Sequence, residues 1–259
     1  MQQSMYSALF GALTQEHRLN VIANNLANVN TTGYKQDRMA FKDVFVRFAH
    51  DAIREPILNL RDKPLFPEPH YLAKNRIALA QIDFSQGSMK QTGNPLDLAI
   101  VGEGFFKVQD AEGNQYYTRD GSYSLSAEGL LINGNGDQVL GQGGPVAIPP
   151  GSSVVIDGAG NVLVDGALVD TLQVVNLDNP NGLEKIGKNY FQPKAEGAVA
   201  EIPAAEASVQ QGYLEAPNVE VVTEMVNMIE VQRGFEAYSK LIQTTQDIDT
   251  KAIGTGEVR

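Results

Sequence analysis

Hydrophobic spacing changes twice along this chain, and that limits the fold more than any other feature. Near the start, apolar residues recur at helical spacing: Met5, Leu9, Ala12, Leu13, Leu19, Ile22, Ala23 and Leu26. Met5, Ala12, Leu19 and Leu26 also make a seven-residue row, and Met228, Phe235 and Ile242 make a second one near the other end. A stripe that regular wants another helix to lie against. Between the ends the period falls to two, as in Leu96-Asp97-Leu98-Ala99-Ile100 and Val162-Leu163-Val164. Turn signals punctuate it, among them Arg119-Asp120-Gly121, Asn133-Gly134 and Asp157-Gly158. Alternation bounded by Asp-Gly and Asn-Gly reads as antiparallel hairpins, because those residues supply positive φ. The fold class is therefore α+β: terminal α-helices form a coiled-coil-like domain, and the centre is a mostly antiparallel β domain.

Four segments follow. Residues 1–35 hold the first helix, which is nearly free of charge, with Glu16 and Arg18 its full charges. A polar face of Gln, Asn, Ser and Thr suits a helix surrounded by neighbours. Asn28 and Gly33 bracket the stretch that stops it, since Asn and Gly tolerate the left-handed position after a helix. Residues 36–80 read as an extended linker broken by Pro56, Pro64, Pro67 and Pro69, with Phe41, Val44, Phe45 and Phe48 spaced for a short amphipathic helix. Residues 81–215 form the β domain. Residues 216–259 form the last helix, with Asn218 as its expected cap and Glu220 and Glu224 near its positive end. The residues expected at an assembly interface are Met5, Leu9, Ala12, Leu19, Ile22 and Leu26 on the first helix, with Met225, Met228, Phe235 and Ile242 on the last.

Signals for chemistry are weak. A net charge of −11 argues against nucleic acid and against anionic lipid. Absence of cysteine removes disulfides, thiolate metal sites and a cysteine nucleophile. His17, His50 and His70 have no metal-ligand spacing. Gly102-Glu103-Gly104 lacks the third glycine of a dinucleotide fingerprint. The oxygen-rich runs Asn133 to Asp137 and Asp157 to Asn161 have a calcium-like look, but strand-like flanks favour plain turns. Asp97 lies between apolar residues and has no second carboxylate nearby in sequence, which favours a structural role. No catalytic, cofactor or metal residue is assigned. The first residues lack the pattern of a cleaved signal peptide, and no stretch is long and apolar enough to insert in a membrane, which by ordinary rules implies a cytoplasmic chain.

Four blocks carry a resemblance that changes that last expectation. They are ANNLANVNTTGYK (Ala23 to Lys35), TGNPLDLAIVGEGFF (Thr92 to Phe106), YTRDGSYSLSAEGLLINGNGDQVLG (Tyr117 to Gly141) and QGYLEAPNVEVVTEMVNMIEVQR (Gln211 to Arg233). The chain resembles the flagellar basal-body rod and hook proteins. Its length and GGPVAIPPGSSVV (Gly143 to Val155) look most like rod members of the proximal type, with the distal type next. The resemblance implies a structural subunit that leaves the cell through the flagellar type III export apparatus without a cleaved signal. It implies a place in the periplasmic section of the rod, with copies of itself and other rod proteins as partners. The helices would form an inner layer around a channel, and the tube would transmit torque. A rod-associated periplasmic hydrolase is the competing expectation, favoured only if an acid/base pair emerges.

Overall fold

The computed structural model describes residues 2–47, 71–149, 151–195, 199–204 and 206–256. Two compact units are built from interleaved segments. One takes Met1–Ala23, Arg38–Gln81 and Met225–Arg259; the other takes Asn24–Asp37 and Ile82–Glu224.

The first unit contains most of helices α1 (Gln2–Ala27) and α2 (Val221–Gly256). At about 1.5 Å per residue they are roughly 39 and 54 Å long. The two helices touch. A Cβ added at Gly11 would lie 2.5 Å from the Tyr238 ring, and one at Gly234 would lie 3.3 Å from the Gln15 side chain. Residue 11 meets 238 while 15 meets 234, so the helices run antiparallel. Glycine at these two points lets the other helix's large side chain come close. Ala8, Ala12, Ile22 and Val231 are buried along the helices. The unit also holds a two-stranded sheet of β1 (Asp37–Arg47) and β2 (Tyr71–Ile82). Phe41, Val44 and Phe45 therefore lie on a strand and not on the short helix that their spacing suggests. The run Val44-Phe45-Val46 is β-branched and aromatic, types that fit a pleated strand and lose rotamer freedom in a helix. Phe48 and the four prolines lie outside the described residues.

The second unit is antiparallel β throughout its assigned pairings. Its strands are β3 (Met89–Gln91), β4 (Leu98–Val101), β5 (Phe105–Gln109), β6 (Gln115–Thr118), β7 (Tyr123–Leu125), β8 (Leu131–Asn133), β9 (Gln138–Gly141), β10 (Gly144–Pro145), β11 (Val154–Ile156), β12 (Asn161–Val164), β13 (Ala167–Thr171), β14 (Val174–Leu177), β15 (Leu183–Gly187), β16 (Tyr190–Pro193), β17 (Glu201–Pro203), β18 (Ser208–Gln211) and β19 (Tyr213–Glu215). The largest sheet runs β15-β16-β6-β5-β9-β8-β7; β10 joins β9, β14 joins β5, and β17 joins β14. Smaller sheets are β11-β12-β13, β18-β4 and β19-β3. One core gathers Leu98, Ile100, Phe106, Val108, Leu131, Val139, Val162 and their neighbours. A second is largely aromatic: Phe84, Phe105 and Phe191 meet edge-on with centroids 5.4 to 5.8 Å apart.

Four hairpin turns share one construction. In Asp110 to Asn114, Ser126 to Leu130, Asn133 to Asp137 and Asp157 to Asn161, the first side chain accepts the backbone N–H groups two and four residues on, at 2.9 to 3.2 Å. The fourth residue is always a glycine with φ between 81 and 92°. Its N–H returns to the first residue's carbonyl. Both carboxylate oxygens of Asp157 are engaged, the second by the Asn161 amide at 2.9 Å. Asn161 and the turn amides hold this carboxyl below its ordinary value. The calcium-like spacing is thus the signature of a self-satisfied turn.

Asn218 does not cap α2. Its side chain accepts from the Gln36 N–H at 2.7 Å and donates to the Asp83 carbonyl at 2.8 Å. Glu220 begins the helix instead: its carbonyl accepts from Glu224 N–H, and its carboxylate from the Thr223 hydroxyl at 2.8 Å. The capping rule picks out Asn218 by type, but a tertiary contact has already taken its oxygen.

Candidate assembly site and its buried anchor

The residues expected at an interface divide by burial. Ala12 and Ile22 are buried, while Met5, Leu19, Leu26, Met228 and Ile242 are partly buried. Leu9, Met225 and Phe235 are exposed at 45%, 53% and 41%. The seven-residue row of α1 thus lies mostly on the covered side of the helix. Around the exposed positions cluster apolar side chains that the row does not include. On α1 these are Tyr6 and Leu13; on α2 they are Val222, Val226, Ile229, Leu241 and Ile248. Among the described residues, two apolar helix faces therefore remain exposed. Their signal in the sequence is the lack of charge beside Leu9 and the apolar pairs Val221-Val222 and Met225-Val226.

Asn28 closes α1. Its N–H and its side-chain amide both donate to the Asn24 carbonyl, at 3.2 and 2.9 Å. Its own oxygen accepts from the Thr31 hydroxyl. Gly33 comes later in the turn, with φ 65°. A Cβ there would lie 2.4 Å from the Arg119 carbonyl carbon, so backbone meets backbone at this point. The Gly33 N–H donates to the Glu215 carbonyl at 2.8 Å.

Those contacts surround a group that the sequence reading missed. Glu215 is 1% exposed and lies between Lys35 (1%) and Arg119 (4%). Lys35 Nζ is 2.6 Å from one carboxylate oxygen, and Arg119 Nη1 is 3.3 Å from the other. Further hydrogen bonds hold the group, although Arg119 Nε is buried without a partner among the described residues. Lys35 reaches the Ser85 carbonyl at 2.8 Å, Arg119 reaches the Gly102 carbonyl at 2.8 Å, and the Gly87 N–H reaches Glu215. The guanidinium also stands 5.3 Å from the Phe105 ring centre. Burial pushes Lys35 and Arg119 below their ordinary values, and the Glu215 carboxylate opposes both shifts. Such a buried group adds little net stability against an apolar replacement, but losing one member leaves an unpaired buried charge.

Beside the triad, Lys185 pairs with Asp37 at 2.9 Å and covers the Tyr34 ring at 4.2 Å. Tyr34 donates to Asn24 and Asn25, and burial raises its phenol well above the usual range. Asn25 exchanges two 3.0 Å hydrogen bonds with the Asp37 backbone. The segment from Asn24 to Asp37 is thereby fixed to β15 and to the segment after β19. Asp97 is also structural in its contacts: it accepts from the Asn94 amide at 2.8 Å and bridges to Ser122. No described helix is long and apolar enough to cross a membrane.

Lys35, Arg119 and Glu215 fall within three of the four sequence blocks, and comparison with known proteins covers the same ground. Residues 5–35 match the family described as flagella basal body rod protein. Residues 99–164 match the flagellar hook protein FlgE/F/G D1 domain. Residues 210–255 match the flagellar basal body rod FlgEFG protein C-terminal family. The flagellar basal-body rod protein FlgG of Borreliella burgdorferi is 34% identical, over 96% of each chain. The rod protein FlgF of Caulobacter vibrioides is 34% identical, over 98% of this chain and 97% of its own. FlgG of Bacillus subtilis is 32% identical, over 96% and 97%. With similarity at that level running nearly end to end, and with the triad seated in the matched segments, this chain belongs to the flagellar basal-body rod protein family.

Proposed function

We propose that the chain is a structural subunit of the flagellar rod, built into a helical tube through its terminal helices. One observation carries the reading within this family: α1 and α2 cover one side of each other and leave Leu9, Leu13, Met225, Val226 and Ile229 exposed. Apolar area on that scale marks an interaction surface. Copies of the chain and other rod proteins would cover it in a coiled-coil-like inner layer. Heterologous contacts of this kind propagate as an open helix. Torque would pass through many packed side chains, and no bond is made or broken. Family membership favours this structural role over the hydrolase alternative. The proximal, periplasmic section of the rod is the assigned position, on the resemblance of length and of Gly143 to Val155, and type III export is the assigned route.

Isolated basal bodies test the reading. The chain should be present in stoichiometric amount, and a high-resolution map should show both helices facing other subunits. Absence from purified rods, or helices facing solvent on their apolar sides, would overturn it.

A further inference from the structure

The three-stranded sheet β11-β12-β13 has an outer face unlike the rest of the β unit. Cross-strand partners on an antiparallel sheet share a face. Ile156 pairs with Val162 on the inner face, where Val162 is fully buried. On the outer face Val155 pairs with Leu163, and Leu163 pairs with Leu168. That row crosses all three strands. Val155 is 53% exposed and Leu168 63%. A bulge adds to it: the register steps from Val162↔Asp170 to Leu163↔Leu168, so Val169 is the extra residue, and it is 47% exposed. A half-solvated sheet ordinarily places polar residues outward. Here the middle of the face is Val155, Leu163, Leu168 and Val169, and the hydrogen-bonded pair Asn161–Thr171 is the polar exception toward one strand end. β13 is also an edge, with β12 its neighbour among the described strands.

Charge narrows what covers this face. From Asp120 to Glu184 the sequence has eight Asp and Glu and no Lys or Arg. Asp157 lies at the turn joining β11 to β12, and Asp165 at the turn joining β12 to β13. Acidic groups therefore flank the apolar row on both sides, at the opposite strand ends. The same face of another copy would bring acid against acid, which costs association. We infer that the outer face of β11-β12-β13 docks a different protein, one whose contact surface is apolar at its centre and basic at its rim. This surface is separate from the helix faces and adds a partner to the subunit.

Site-specific photo-crosslinking in the full chain tests this. A benzophenone amino acid replaces Val155 in flagellated cells that lack their own copy. The expected product is an adduct with one protein other than this chain, mapped to a peptide of net positive charge. The double variant Leu168→Ser, Val169→Ser should lower that adduct at least fivefold while the purified variant keeps its melting transition. An adduct between two copies, an adduct on an acidic peptide, or no adduct from either Val155 or Leu168 would overturn the inference. The amount of chain in isolated rods is scored separately. Loss of incorporation counts against the rod reading, and loss of the adduct at normal incorporation counts against the docking face.

Discussion

Glu215 neutralises two buried cations, and its removal is the most costly single change expected. Glu215→Gln should destabilise the chain by about 3–5 kcal/mol, since Lys35 and Arg119 would stay buried without a counter-charge. Urea unfolding measures it; a loss under 1 kcal/mol would show that water enters and relieves the site. Gly33→Ala forces a methyl against the Arg119 backbone at a positive φ, and a loss of roughly 2 kcal/mol or more is expected from that strain. An unchanged melting temperature would mean that the contact yields freely. The positive φ of Gly33 is legible from local sequence, but its backbone contact with Arg119 and the buried triad are not. Each of Lys35, Arg119 and Glu215 looks like an ordinary surface charge in its own segment. The signal lay in where they fall, one in each of three recognised blocks. Asn218 shows the same limit, since its type suggests a cap and its tertiary partners decide otherwise.

At the scale of elements, periodicity served the helices and glycine served the turns. The positive φ falls on Gly113, Gly129, Gly136 and Gly160, the fourth residue of each turn, and not on Gly121, Gly134 or Gly158 of the dipeptides that signalled the turns, because the first side chain's two hydrogen bonds fix where the chain reverses. Segment 37–47 was harder, because Phe41, Val44 and Phe45 satisfy a helical spacing while their residue types favour a strand. The seam between α1 and α2 was visible as a stripe, but the uncovered faces beside it were not distinguishable from it by period alone. Two substitutions separate these faces. Ala12→Asp places a charge in the covered seam and should lower the helical circular dichroism of the purified chain. Leu9→Asp places the same charge on the open face; the isolated chain should keep its helicity, yet its amount in rods should fall at least tenfold. Equal behaviour of the two variants in both assays would merge the faces into one. Within the turns, Asn133→Ala removes the acceptor for two backbone N–H groups and a donor to Tyr190, at about 1–3 kcal/mol.

The whole molecule is set against alkali. Burial raises the phenols of Tyr34, Tyr117 and Tyr123 well above their ordinary value, and Tyr190 to about 12. In the unfolded chain each ionises near 10, so the unfolded state loses protons first. Stability is full below pH 10 and falls as pH rises from 10 through about 12. The chain has nine tyrosines and no tryptophan, so tyrosinate absorbance follows the transition directly. A melting temperature that stays level between pH 9 and 12 would contradict the burial of these rings.

The Lys35–Glu215 contact closes a loop of 180 residues. Each hairpin turn, by contrast, closes over five residues with its own side chain. In time, then, the two kinds of contact belong to different stages. Hairpins can form as soon as their few residues are free, whereas the triad waits until the chain has emerged from one end almost to the other, because distant closure carries the larger entropy cost. Until residue 215 is in reach, the segment from Asn24 to Asp37 lacks this anchor. Glu215→Gln should accordingly speed unfolding and leave the refolding rate nearly unchanged. The triad thus acts as a late check on folding: the segment after the first helix is fastened only once residues at both ends of the β unit are in place.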